Sequence, residues 1–277
     1  MSPRLSPTQK VVTYGLLWLL ALVILFPIYY MVLISLKLPK DIYRTPSLLP
    51  LGATLKNYVD LVSTQSFLIN IRNSLVVAGA ATVVSVFMSC LAAYSLVRLK
   101  YRYRTWIGRV ILLSYLTPAS LLFIPLSVII ARLGLGNTLH GLVLIYLTFA
   151  APLSTWLLMG FFRGIPADLE EQAMVDGARR LQALFRIVLP LSAPGLVAVS
   201  VLTFTGAWNE LLLALIFTTS PDIRTVPVAL QYLITGDVFR WGLIMAGAVT
   251  AAVPVMALYY LAQRFMLQGL SAGAVKG

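Results

Sequence analysis

The chain has 277 residues, 60% of them hydrophobic and 11% charged, with 21 basic side chains against nine acidic ones and a formal charge of +12. A soluble domain carries roughly 25% charged residues, so composition excludes an ordinary soluble globular protein, and apolar runs of about 20 residues point to helices crossing a bilayer. The basic excess fits span flanks meeting anionic lipid, which excludes nucleic acid as a partner, and the single cysteine, Cys90, excludes an intrachain disulfide or a thiolate metal cluster.

The first apolar run covers 11–36. It is too long for a signal-peptide core and has no small-residue cleavage site, so it reads as a retained span. The connector 37–69 is broken by Pro46, Pro50 and Gly52, and "LKNYVDLV" within it predicts a short helix. The second span, 70–97, leads into "VRLKYRYRTWIGR", which carries Arg98, Lys100, Arg102, Arg104 and Arg109 without an acid. By the positive-inside rule this connector faces the cytoplasm. Spans three and four are predicted at 107–131 and 138–162, with Pro118, Pro125 and Pro152 as candidate break points. A polar segment, 163–193, precedes span five at 194–219, a mixed-charge connector at 220–241 and span six at 242–267. No short alternating segments of the β-barrel kind occur. The reading is an all-α integral membrane protein of one domain with six transmembrane helices. Both termini lie inside, consistent with Arg4, Lys10, Arg264 and Lys276.

The segment 163–193 gathers scarce carboxylates: Asp168, Glu170, Glu171 and Asp176. Pro166 and the acids after it suit a helix start, where negative charge complements the helix dipole. The helix is predicted to run to Asp176 and stop at Gly177. A second helix is predicted from Ala178 to about Val188, with Leu181, Leu184, Phe185 and Val188 as one apolar stripe. Arg179, Ala183 and Arg186 fall on the opposite face, and Pro190 and Pro194 limit continuation. An acidic knob is repelled by anionic headgroups, so a helix–turn–helix that docks onto a protein suits it better than a lipid-facing loop.

These residues carry a resemblance. "EQAMVDGA" at 171–178 followed by "IVLP" at 187–190 resembles the EAA loop of ABC importer permeases. Glu171, Ala173, Gly177, Ile187, Leu189 and Pro190 match in register, and Gln172 departs from the middle alanine. "NSLVVA" (73–78), "FTGAWNELLLALI" (204–216) and "LAQRFMLQGLSAGAVKG" (261–277) resemble the carbohydrate-uptake branch, with the smaller permeases of maltose-type transporters as the nearest type. The resemblance implies a type I importer permease fold in a bacterial or archaeal plasma membrane. It implies four kinds of partner: a homologous second permease, two cytoplasmic ATPase subunits, an extracytoplasmic sugar-binding protein and membrane lipid. It also implies that Glu170, Glu171, Ala173, Asp176, Gly177, Ala178, Ile187, Leu189 and Pro190 form the ATPase-coupling site. No cofactor is expected on this chain. It has no G-x-x-x-x-G-K-[ST] loop, so ATP and Mg belong to the partner ATPases. The connector 220–241, with Gly236 inside it and Gly242 just after it, is expected to reach toward the binding protein, and the tail "SAGAVKG" toward the ATPases.

An ionisable group within a span is a functional candidate. Glu210 is such a group, and Trp208 and Asn209 beside it suit stacking on and hydrogen bonding to a sugar. A packing role for Glu210, tying helix to helix, competes with a role in the substrate pathway. A membrane-embedded enzyme would need clustered catalytic groups, whereas the one histidine, His140, stands alone near a span start. An ion-coupled secondary transporter would need more intramembrane charge than Glu210 supplies.

Overall fold

A computed structural model describes residues 6–44, 47–49, 52–235 and 238–274; Arg4, Pro46, Pro50, Gly236, Asp237 and Lys276 lie outside them. Ser6 opens the first helix, α1 (Pro7–Ser35), with a capping box: Gln9 N donates to Ser6 Oγ (3.3 Å) and Ser6 N donates to Gln9 Oε1 (2.9 Å). Then follow α2 (Pro39–Arg44), α3 (Lys56–Gln65), α4 (Phe67–Arg98), α5 (Arg104–Tyr115), α6 (Ala119–Arg132) and α7 (Leu139–Arg163). The polar segment holds α8 (Asp168–Val175), α9 (Arg180–Ala183), a π-helical stretch (Leu184–Val188) and α10 (Leu189–Leu191). Next come α11 (Ala193–Trp208), α12 (Leu212–Phe217), a 3-10 turn (Pro221–Ile223), α13 (Val226–Gln231), a hairpin of β1 (Ile234–Thr235) and β2 (Val238–Phe239), and α14 (Trp241–Ala274). The hairpin is antiparallel, pairing Ile234 with Phe239.

Among the described residues four helices are long and apolar enough to cross a membrane: α1, α4, α7 and the stretch Trp241–Phe265 of α14. Two of the expected spans are interrupted. Span three divides into α5 and α6, bent by 100°. Pro118 is the cause, because its ring removes an N–H and drives the preceding residue out of the helical region. Pro125 and Pro152 stay inside α6 and α7, so they do not break their spans. Span five ends as α11 at Trp208 and resumes as α12, and an 80° bend separates α11 from the Arg180–Leu191 arm before it. Counting each bent pair as one span gives up to six.

The chain divides into two compact units: Met1–Phe67 with Leu230–Ala252, and Leu68–Ala229 with Val253–Gly277. In the first, α1 buries only its end, Leu33 to Ser35, and leaves a long apolar flank from Val11 to Tyr30 for lipid. Asn57 Nδ2 of the predicted short helix, α3, donates to Ser35 O and Lys37 O at 2.8 Å each. A Cβ on Gly242 would meet the Asn57 amide at 2.6 Å, so Gly242 is required for this close approach.

In the second unit α7 is the central helix, packed on α5, α11 and α12. Val77 and Ala81 of α4, Leu142, Ile145 and Tyr146 of α7, and Leu213 of α12 form one core cluster. Cys90 and Tyr94 of α4, Leu158 and Phe162 of α7, and Leu184 and Val188 of the polar segment form the other. Thr138 caps α7 by accepting from Gly141 N (3.0 Å), and a Cβ on Gly141 would collide with the backbone carbonyl of Leu135. Gly141→Ala therefore has to displace main chain, at an expected cost of roughly 1–3 kcal/mol. An unchanged thermal unfolding midpoint of the purified variant would contradict that packing.

Asn73 and Ser74, in the "NSLVVA" stretch, have a structural task that sequence reading did not reveal. Asn73 Nδ2 donates to Asp222 O (2.8 Å) and Arg224 O (3.1 Å), and Ser74 Oγ accepts from Val226 N (2.8 Å). Asn137, with φ +54°, holds the adjoining segment by accepting from Thr219 N (2.8 Å) and donating to Ser220 Oγ (2.6 Å). The start of α4 and the α6–α7 turn thus pin the connector that follows α12.

Candidate coupling element and broken span

The acidic arm ends where its sequence dictates. Gly177 has φ +91°, Gly177 N donates to Met174 O (3.1 Å) and Ala178 N donates to Ala173 O (2.9 Å). This pair of bonds is a Schellman motif, which satisfies the last carbonyls of α8 and needs a residue at ease in left-handed backbone. Ala173, Asp176, Gly177 and Ala178 are consequently four parts of one corner. On its far side Arg179 N donates to Gln182 Oε1 (2.7 Å), which starts α9.

The second arm differs from its expected form. It begins at Arg180, and Pro190 does not stop it, since α10 runs on to Leu191 and the chain breaks at Ser192. The π-helical turn supplies the reason. Leu189 N reaches back to Leu184 O, an i→i+5 bond that opens the helix just where the Pro190 ring would otherwise crowd the preceding turn. Pro194 lies in the first turn of α11, where its missing N–H costs nothing. The buried face of the arm also differs from the expected apolar stripe. Ala183, Leu184 and Val188 are buried, whereas Leu181 and Phe185 are exposed, so Ala183 exchanges faces with two of the expected core residues.

The two neighbouring acids part company. Glu170 is buried and ion-paired with Arg98 at the end of α4, whose Nε donates to Glu170 Oε1 at 2.5 Å. The same guanidinium donates to Ile165 O (2.7 Å), and Tyr94, one turn earlier, donates to Arg180 O (3.3 Å). Thus α4 grips α8, the connector before it and the first residue of α9. Neither Arg98 nor Tyr94 stood among the expected site residues. Their partners lie 72 and 86 residues away, beyond the reach of local pattern, although the acid-free "VRLK" run did hold an arginine at a helix end. Glu171, Gln172 and Asp176 face outward beside Val175, which is 87% exposed. Asp168 joins them around a shallow depression. Ile187 and Leu189 are half-buried and Pro190 is exposed.

Glu210 sits at the second interruption. Its Oε1 accepts from Leu213 N (2.8 Å) and its Oε2 accepts from Ala214 N (2.9 Å) and Tyr146 Oη–H (2.9 Å). The carboxylate caps α12 and ties it to α7, the packing role weighed from sequence. Trp208 is buried and stacked on Phe204 (5.6 Å between centroids), whereas Asn209 is exposed. A cavity of about 250 Å³ adjoins the cap, lined among others by Tyr115, Tyr146, Phe149 and Gly206. Glu210→Gln keeps one acceptor oxygen and is expected to slow solute uptake into proteoliposomes less than Gly177→Asp does. The opposite ranking would move the functional centre into span five.

The family described as binding-protein-dependent transport system inner membrane component matches residues 62–271. The chain belongs to this family. A permease of the family is a non-catalytic membrane subunit of an ABC importer, so the chain is a multi-pass inner-membrane component and not an enzyme. It is 40% identical, over the full length of both chains, to the inner membrane ABC transporter permease protein YcjP of Escherichia coli K12. It is 37% identical, over 94% of each chain, to the trehalose/maltose transport system permease protein MalG of Thermococcus litoralis. Its fold matches a crystal structure of a bacterial ABC transporter that imports the acidic polysaccharide alginate, with TM-score 0.80 at 23% identity, covering 95% of this permease and 99% of that chain.

Proposed function

We propose that this permease admits a sugar or sugar-like solute, working with a homologous second permease, two cytoplasmic ATPases that hold ATP and Mg, and an extracytoplasmic sugar-binding protein. It crosses the membrane six times with both termini inside, as one permease domain, and residues 163–193 form its coupling element. The observation that carries this reading is the corner at Gly177. A Schellman motif and a grip from α4 present Glu171, Val175 and Asp176 outward on a stiff knob. An ATPase drives transport only through a contiguous contact that has two arrangements, and a rigid knob meets that need. Glu171 offers a carboxylate to a basic residue of the ATPase, Ala173, Ala178 and Gly177 hold the corner, and Ile187, Leu189 and Pro190 join it to span five. In the fifth span Glu210 organises the break, and Asn209 is the residue there that meets the solute path. Support for a sugar comes from relatives such as the trehalose/maltose permease of Thermococcus litoralis.

The single native cysteine, Cys90, is buried, which makes crosslinking practicable. Glu171→Cys is expected to crosslink to a cysteine in a co-expressed ATPase, in a nucleotide-dependent manner. Solute uptake by this polypeptide alone, with no such crosslink, would favour an ion-coupled carrier. The solute class is tested by which sugars raise the unfolding temperature of the cognate binding protein.

A further inference from the structure

A second basic feature lies apart from the coupling corner. The ends of α4 and α7 and the start of α5 meet around a pocket of about 330 Å³. Arg104 and Arg109 from α5 and Arg163 from the last turn of α7 line it, over Leu112, Trp156 and Met159. Among the described residues no carboxylate pairs with any of the three arginines, and Arg104 makes only a long bond, 3.4 Å, to Leu99 O. Trp156 is 51% exposed, and the neighbouring Trp106 is 65% exposed. Three helix termini around one pocket, tryptophans beside them and guanidiniums above an apolar floor are the elements of a headgroup site. An inorganic anion would use the arginines and leave the apolar floor uncovered. A neutral lipid would cover the floor and leave the arginines unmatched. One molecule satisfies both halves: a phospholipid with net negative charge, its phosphate between the guanidiniums and its glycerol and first methylenes on Leu112 and Met159.

We propose that this pocket is a binding site for one anionic phospholipid, held by Arg104, Arg109 and Arg163. The lipid braces α5 against α7 on the same side as the coupling element. The site depends on the membrane placement of the chain and not on how the ATPase docks.

Binding is read by native mass spectrometry on the detergent-purified transporter, titrated with phosphatidylglycerol, with phosphatidylcholine and with inorganic phosphate as competitor. Phosphatidylglycerol is expected to bind at least about tenfold more tightly than phosphatidylcholine. The double variant R109Q/R163Q is expected to weaken phosphatidylglycerol about thirtyfold, following the usual worth of two basic residues near a lipid surface. G108L keeps every charge but fills the pocket, since a Cβ at Gly108 already lies 3.9 Å from Leu96 and 4.0 Å from Met159, and it should weaken the lipid too. Arg102 does not line the pocket, so R102Q should change the affinity less than about twofold. Equal binding of the two lipids overturns the proposal, as does wild-type affinity in both pocket variants. An R102Q loss equal to that of R109Q/R163Q would reduce the effect to diffuse charge. Displacement by millimolar phosphate would make the site one for free anions.

Discussion

Arg98→Ala is expected to lower the stability of the permease by about 3–5 kcal/mol, because it leaves Glu170 buried without its partner charge. Glu170 is 4% exposed, so water cannot replace the guanidinium at once, and Ile165 O loses its donor in the same step. Glu170→Ala should be comparably harmful. The informative variant is the double one, Arg98→Met with Glu170→Met. Replacing both members of a buried pair with apolar side chains is often neutral, so the double variant should recover much of the unfolding temperature. Recovery of stability need not bring recovery of coupling. If the pair is the strut that carries movement from α8 into α4, the double variant should fold and still hydrolyse ATP with little response to solute. Single variants as stable as wild type, or a double variant less stable than either, would show that the ion pair does not hold the knob.

The second large effect is expected at Gly177. Nothing lies within 4 Å of a Cβ placed there, so substitution meets no neighbour, and the penalty comes from φ +91° alone. For a β-branched residue such as valine that penalty is roughly 1–2 kcal/mol. Asparagine tolerates left-handed backbone better and should be milder. Gly177→Asp adds a charge to the strain, beside Asp176 and Glu171 on the exposed face. It should leave membrane insertion intact and reduce solute-stimulated ATP hydrolysis by about tenfold or more, the factor that corresponds to about 1.4 kcal/mol of lost coupling free energy. Normal stimulation in this variant would count heavily against a coupling role for the corner.

The local chemistry of the corner could be read from the chain. Acids at a helix start, a glycine at its end and a proline beyond are short-range signals, and the Gly177 turn follows them closely. The division of labour between Glu170 and Glu171 was not legible, because it is set by Arg98 on another helix. The apolar stripe was partly legible. A period of 3.6 counted from Leu181 selects Leu181 and Phe185 for burial, whereas the buried face keeps that period but is turned toward Ala183, Leu184 and Val188. Pro118 announced the break in span three. The break in span five had a fainter signal, Asn209 and Glu210 ahead of the apolar run "LLLALI", where hydropathy alone reads straight through. The pinning of the connector after α12 by Asn73, Ser74 and Asn137 depends on residues more than eighty positions apart in sequence, which no local pattern encodes.

The interruption after Trp208 bears on how the bilayer seals around the permease. A helix that stops inside hydrocarbon presents thirsty amides, and membranes usually answer by thinning or by admitting a thread of water. Here the amides of Leu213 and Ala214 are quenched by Glu210 from within the same chain, and the phenol of Tyr146 donates to the same oxygen that takes Ala214 N. A discontinuous rod can therefore carry its own hydrogen-bond partners at the break, and these two amides need no lipid-side water.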